Sequence, residues 1–431
     1  MTSPLSPNTE AILLLTAPLL TGKGKPSPDL LTPGEYNRLV RHLQKNDLEP
    51  ADLTSRHGAE AARMCEQVIE ADRLERLLGR GFLLAQALER WQSRAIWVLS
   101  RADPEYPRML KARLKTDAPS VLYGCGDVSE LNSGGLAIVG SRHVDDEQIQ
   151  YTQAVGALVA RSGRAVVSGG AKGIDQAAMH GALDAGGRAL GVLADSLEKS
   201  VLARYNRDML VSEQLILLSP YDPAAGFNVG NAMRRNKFIY VMANAALVVN
   251  SDAEKGGTWA GAVEQLTKLK LVPVYVRSNG PESDGLQALK DKGALEWPDP
   301  AGVEDFRALL DTAKAAIEEQ QPALPFDAGD AGGDDSRGEH GTAATLGGAA
   351  TVEPHPGQPA NRLEDRLFNT VRDLIRDLAS VPARVSDVAS ALAVTDEQAE
   401  LWVMRLLDEG VLERGAVEHS FVARTKVATA G

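Results

Sequence analysis

Two stretches decide the reading of this chain: Leu136-Ala-Ile-Val-Gly-Ser-Arg142 and Ala165-Val-Val-Ser-Gly-Gly-Ala-Lys-Gly-Ile-Asp175. Each is a short apolar run that ends in small residues and one cation, and a helical pattern follows. That is a strand, a tight turn and a helix, with Arg142 and Lys172 carried on the turns. A helix N-terminus presents unpaired backbone N–H groups and the positive end of a dipole. A cation beside it makes a surface suited to phosphate.

Working outward, residues 134 to about 280 alternate strand and helix patterns. Leu136–Val139, Ala165–Ser168, Ala189–Leu193, Leu215–Leu218, Ala246–Asn250 and Val272–Val276 read as strands. They are continuous apolar runs rather than alternating ones, which marks strands buried on both faces. Glu147–Ala160, Asp175–Leu183 and Thr258–Leu269 read as helices, and Asp145 with Gln148 has capping-box spacing. The alternation predicts an α/β domain, a Rossmann-like doubly wound and mostly parallel sheet. Such sheets bind ligands at the carboxyl ends of their strands, where both cationic turns fall.

Residues 1–95 read as a helical domain, and Ile96–Leu99 reads as a strand entering residues 96–317. The Gly-bearing bend in Leu77–Leu88 is compatible with a helix-hairpin-helix, but two packed helices joined at a glycine is the simpler reading. Residues 318–361 are rich in Gly, Ala, Pro and Asp and poor in large apolar residues, a composition expected of a disordered linker. Residues 362–431 regain periodicity. Leu363, Leu367, Val371, Leu374 and Leu378 stripe one helix, Val385–Leu392 makes a second and Asp396–Leu407 a third. Val411–Leu412 and Ser420–Val422 would pair as a wing, giving a winged helix. Its third helix carries Glu400 among five acidic residues, so it suits a protein contact better than a phosphate-lined groove.

Composition sets limits. The 431 residues carry a formal charge of −12, so any polyanion site is a local patch. Cys65 and Cys125 have neither metal-ligand nor disulfide-framework spacing and read as reduced, partly buried thiols. The apolar run Ala11–Leu20 follows Glu10 and is interrupted by Pro18, unlike a signal peptide. A cytoplasmic protein without membrane contact is expected.

Two further elements join the cationic turns. Arg234-Arg-Asn-Lys237 places three cations in four positions near the start of a helix. Lys255-Gly-Gly-Thr258 opens another helix. It is either a close approach for phosphate or sugar or a plain strand-to-helix turn. Trp259 is either a base-stacking ring or a core residue. The expected phosphate site is therefore Gly140, Ser141, Arg142, Gly169, Gly170, Lys172, Gly173, Arg234, Arg235, Asn236, Lys237, Lys255, Gly256, Gly257 and Thr258. No dinucleotide or P-loop fingerprint is present, no nucleophile spacing joins His143 to His180, and Asp175 reads as a cap or turn carboxylate. No catalytic residue, metal site or cofactor is expected.

Ile138-Val-Gly-Ser-Arg142, Val166 through Leu183 and Arg235-Asn-Lys-Phe-Ile239 resemble the DNA-processing protein A (DprA/Smf) family. So do Asp103-Pro-Glu-Tyr-Pro-Arg-Met-Leu110 and Ala118-Pro-Ser-Val-Leu-Tyr-Gly124. The resemblance covers about residues 96–280. It implies a non-enzymatic protein that binds and protects single-stranded DNA, helps load RecA recombinase in transformation or recombination, and forms a homodimer through its Rossmann-like domain. DNA contacts carry over to Arg142, Lys172, Arg235 and Lys237. This chain departs from the family pattern at Met179, at Asn228 and at Lys255-Gly-Gly-Thr-Trp-Ala-Gly261, as a divergent paralogue with a role in defence would. Two alternatives follow from the same turns: a sensor of a nucleotide or nucleotide-sugar, and a nucleotide N-glycosidase. The second is disfavoured because Glu264 lies six residues past Thr258 rather than three.

Overall fold

A computed structural model describes residues 5–20, 27–281 and 283–320, with separate stretches between 372 and 423. The chain divides into two compact units, Met1–Ala328 and Gly329–Gly431.

The first unit opens with five helices: α1 (Pro7–Thr16), α2 (Pro33–Lys45), α3 (Gly58–Met64), α4 (Ala71–Leu78) and α5 (Gly81–Gln92). Ser6 caps α1, whose Ala11–Leu15 run is buried. Thr32 and Glu35 form a capping box on α2, and Glu35 also pairs with Arg73 of α4 at 2.7 Å. Between α4 and α5 the Arg80 side chain is buried and donates to the Ala17 carbonyl, while Leu77 and Leu84 enter the core. The glycine bend is thus a packed helix junction.

The remaining elements of this unit are β1 (Trp97–Ser100), α6 (Arg108–Leu114), β2 (Val121–Cys125), β3 (Gly135–Val139), α7 (Asp146–Arg161), β4 (Ala165–Ser168), α8 (Ile174–Asp184) and β5 (Arg188–Val192). Then come α9 (Leu197–Leu202), α10 (Arg204–Val211), β6 (Leu215–Ser219), α11 (Val229–Val241), β7 (Ala245–Val248), α12 (Gly256–Glu264), β8 (Val274–Val276), α13 (Asp284–Asp291), β9 (Leu295–Glu296) and α14 (Val303–Gln320). The nine strands form one sheet in the order β1-β2-β6-β5-β4-β3-β7-β8-β9. Strands β3 to β9 run parallel, and β1 and β2 add an antiparallel edge beside β6.

The seven expected strands of this sheet are present, with ends shifted by at most two residues. Strands β2 and β9 were not foreseen, and the expected helix Thr258–Leu269 is α12 continued by a π-helical turn, Gln265–Leu269. One hydrophobic core joins Ile12, Leu39, Leu74 and Trp91 to one face of the sheet through Leu136, Ile138 and Leu217. A second core fills the other face. The boundary expected at residue 95 therefore lies inside the first unit. Helix α14 also runs past residue 317, so the expected linker's first three residues are helical. The rest of that linker lies outside the described residues.

Topology positions the site. From β3 the chain winds through β4 and β5 to β6, and α11 then returns it to β7 on the other side of β3. The direction of winding reverses between β3 and β7. A crevice opens at the carboxyl ends of such a strand pair.

In the second unit, β10 (Ala383–Arg384), α15 (Val385–Leu392), β11 (Leu412–Arg414) and β12 (Ser420–Ala423) are described. The strands form an antiparallel sheet in the order β10-β12-β11. The expected second helix and wing strands are in place. Most of the first and third helices lies outside the described residues. Among the described residues, no helix is long and apolar enough to cross a membrane. Cys65 and Cys125 are buried free thiols, which burial pushes up in pKa.

Candidate nucleic-acid interface

The turn after β3, Gly140-Ser-Arg142, lies at the carboxyl end of the strand where the winding reverses. The Gly140 carbonyl accepts a hydrogen bond from the Thr258 hydroxyl at 2.8 Å, which pins the start of α12 beside it. The Asn236 side-chain amide of α11 donates to the Gly257 carbonyl at 2.9 Å, joining α11 to the same helix start. The Ser141 carbonyl accepts from the Ile174 N–H of α8 at 3.3 Å. Gly173, at φ +85°, lets the turn after β4 close on Ser141, whose carbonyl oxygen would lie 2.5 Å from a Cβ there. All four sequence elements therefore meet at one end of the sheet.

They do not all face outward. Arg142, Lys172 and Lys255 are exposed. Arg142 stands with its guanidinium carbon 6.0 Å from the centroid of the half-exposed Phe227 ring. Arg234 is exposed and lies close to Tyr221. Arg235 is a correction: it is only 6% exposed, beneath the turn after β4. Its Nη1 donates to the Val192 carbonyl at 2.7 Å, and its Nε has no partner. A buried guanidinium facing the sheet cannot meet a strand's phosphates. Burial lowers its pKa, and the neighbouring Asp175 and Asp195 oppose that shift. Lys237 is half-buried with its ammonium 5.3 Å from the Phe238 ring centroid, and among the described residues no contact ties it to the turns.

Asp175 explains why Arg235 is inside. It is 7% exposed in the first turn of α8, where the backbone N–H groups of Ala171, Gly169 and Gly140 lie near enough to favour its charged form. Burial pushes this carboxyl up to about 6, against the pull of Arg235 and of those three N–H groups. Gly169 sits over the pair. A Cβ there would come 1.7 Å from Arg235 Nη1 and 2.7 Å from Asp175 Oδ2. Asp175 thus lies in the turn region, inside the fold and next to Gly169.

The helix starts differ in the same way. Helix α7 begins with an Asp145–Gln148 capping box and an acidic first turn of Asp146 and Glu147, which repels phosphate. At α8 the Ile174 and Gln176 N–H groups go to Ser141 and Ala171. Helix α12 starts at Lys255 with no side-chain cap and no acidic residue in its first turn, and Gly256 and Gly257 are exposed. Its N-terminus, like the side chains of Arg142 and Lys172, is open to solvent, an arrangement that suits an anion. Glu264 closes α12 six residues beyond Thr258, about 9 Å along the axis. Trp259 is half-buried, packs against the second core and lies 5.9 Å from the Lys292 ammonium. Among the described residues, no group of three or more His, Cys, Asp or Glu could hold a metal ion.

The sequence reading missed one residue and misassigned another. Phe227 carries no pattern that announces an exposed ring. Arg235, in contrast, falls on one stripe with Phe238, Ile239 and Met242, a spacing that marks a buried face.

Comparison with known proteins follows the same segment. The family model of DNA recombination-mediator protein A matches residues 97–302. Protein Smf of Synechocystis is 30% identical over 177 residues, which cover 40% of this chain and 44% of that protein. The DNA processing protein DprA of Bacillus subtilis is 28% identical over 195 residues, covering 44% of this chain and 65% of the relative. The chain thus spans about half to two thirds of the length of these curated relatives. The X-ray structure of DNA processing protein A from Streptococcus pneumoniae superposes with a TM-score of 0.53 at 20% identity. It covers 72% of this chain and 98% of that one, a likeness of fold.

Proposed function

We propose that this chain, whose residues 97–302 match the family model of DNA recombination-mediator protein A, belongs to that family and binds single-stranded DNA without acting on it chemically. The observation that carries the reading is the convergence of Arg142, Lys172 and the uncapped start of α12 on one crevice. Arg142 and Lys172 neutralise successive phosphates, and Lys255 with the Gly256–Thr258 segment holds a third. The half-exposed Phe227 ring beside Arg142 offers a stacking surface to an unpaired base. A duplex, whose bases are already stacked, gains nothing from that ring.

The same reading makes the protein a cytoplasmic homodimer that protects the strand and hands it to RecA during transformation or recombination, with the second unit as a winged-helix protein contact. Anisotropy of labelled oligo-dT and of a matched duplex across a salt series tests the binding. Three neutralised phosphates give a log–log slope of about −2 for the single strand, where four would give about −3. Absence of salt dependence, or tighter binding of the duplex, contradicts the proposal.

A further inference from the structure

Thr16, Thr152, Thr267 and Thr312 each donate their hydroxyl to the carbonyl four residues back, on Ile12, Gln148, Val263 and Ala308. That is a common bond for a threonine inside a helix. Thr258, in the first turn of α12, does otherwise: it reaches the Gly140 carbonyl in the turn after β3, at 2.8 Å. Gly140 stands two residues before Arg142 and packs on α8, where Ile174 Cγ1 would lie 2.5 Å from a Cβ. The next carbonyl, Ser141, is held by the Ile174 N–H at 3.3 Å. The turn that carries Arg142 is thus fixed to α8 through Ile174 and to α12 through Thr258. On α12 the first N–H groups have no acceptor within the helix, no side chain caps them, and Gly256 and Gly257 are exposed. Asn236 steadies the same helix start from α11, donating to the Gly257 carbonyl at 2.9 Å. We propose that Thr258 is a positioning residue: its hydroxyl sets the spacing between Arg142 and the open start of α12, so that the phosphates they hold fall in step along one strand.

The inference rests on the single-strand reading but concerns what sets the site's shape. A threonine hydroxyl has one proton to donate. Here that proton is spent on Gly140, so the hydroxyl donates nothing to a phosphate oxygen while the tether holds. The Thr258 side chain therefore acts through Arg142 and not on the strand. Without the tether, the turn after β3 keeps its bond to α8 but loses its fixed distance to α12. Each anion contact can still form alone. A strand that meets both must then order the gap as it binds, and that ordering is an entropic cost to affinity.

The test is a double-mutant cycle. Anisotropy of labelled oligo-dT is measured for the wild type, Thr258→Val, Thr258→Ser, Arg142→Ala and the Thr258→Val, Arg142→Ala double variant, each beside its unfolding free energy. Thr258→Val keeps the shape and loses the donor, so affinity should fall about tenfold, the scale of one net hydrogen bond. Thr258→Ser, which restores the hydroxyl, should recover most of that loss. In the Arg142→Ala background the same valine should cost less than about twofold, because residues that act as one unit are not additive. A loss of equal size in both backgrounds, or no loss in a folded Thr258→Val, overturns the inference and leaves the single-strand reading standing. A structure of the wild type with bound oligo-dT gives a second readout that needs no variant. Thr258 Oγ1 should stay on the Gly140 carbonyl, and a hydroxyl turned to a phosphate overturns the inference. A wild type that ignores oligo-dT overturns the single-strand reading, and the inference falls with it.

Discussion

The turn after β4 and the turn that opens α12 look alike in sequence. Gly169-Gly-Ala-Lys172 and Lys255-Gly-Gly-Thr258 each set a glycine pair near a lysine. In the folded chain they are opposites. The first packs inward: Gly169 lies against Arg235 and Asp175, and the helix it leads into donates to Ser141 and Ala171. The second is anchored from outside, by Thr258 on Gly140 and Asn236 on Gly257, and leaves its first helical turn exposed. Glycine beside a cation therefore marks a place where backbone comes close to something. What comes close differs: a carboxylate and a guanidinium of the protein itself in one case, open solvent in the other.

That contrast can be broken by substitution. The largest effect is expected at Arg235. Its removal empties a buried site, strips the Val192 carbonyl of its donor and takes the nearby cation from Asp175, changes that together cost about 3–5 kcal/mol. Chemical denaturation of Arg235→Ala should show a loss of that order, and a variant as stable as wild type would mean the pair is not a structural unit. Next comes Gly169→Ala, whose Cβ would collide with Arg235 Nη1 and Asp175 Oδ2. Overpacking of this kind costs about 1–3 kcal/mol, and DNA affinity should fall along with the melting temperature. The smallest effect belongs to Gly257→Ala. Its Cβ would meet only Asn236 Nδ2, at an ordinary 3.5 Å. Stability there should hold or rise slightly, since alanine favours a helix over glycine by about 1 kcal/mol. A Gly257→Ala variant as unstable as Gly169→Ala would erase the distinction between the two turns.

Much of this was legible beforehand. The parallel strands announce themselves because a strand buried on both faces must be apolar throughout, as Leu136–Val139 and Ala165–Ser168 are. The convergence of the four cationic elements follows from the winding rule for such sheets. Strand β2 escaped notice because Val121-Leu-Tyr-Gly-Cys125 is short and holds a glycine. That glycine admits the Trp97 ring, which would lie 2.3 Å from a Cβ at Gly124. Arg235 was misassigned for a different reason. A cation in a basic cluster was counted by charge, while its helical phase with Phe238 and Ile239 placed it inside. The partner that makes such burial tolerable, Asp175, lies sixty residues earlier, and only the fold brings the two together.

The central claim is that Arg142 and Lys172, not the arginine beneath them, hold the strand. The most direct measurement is the affinity of the Arg142→Ala, Lys172→Ala double variant for oligo-dT, taken beside its unfolding free energy. Each lost charge-assisted contact is worth about 1.5 kcal/mol or more, so binding should weaken by about a hundredfold or more while stability stays at the wild-type value, because both side chains are exposed. Undiminished binding by a folded double variant would contradict the account.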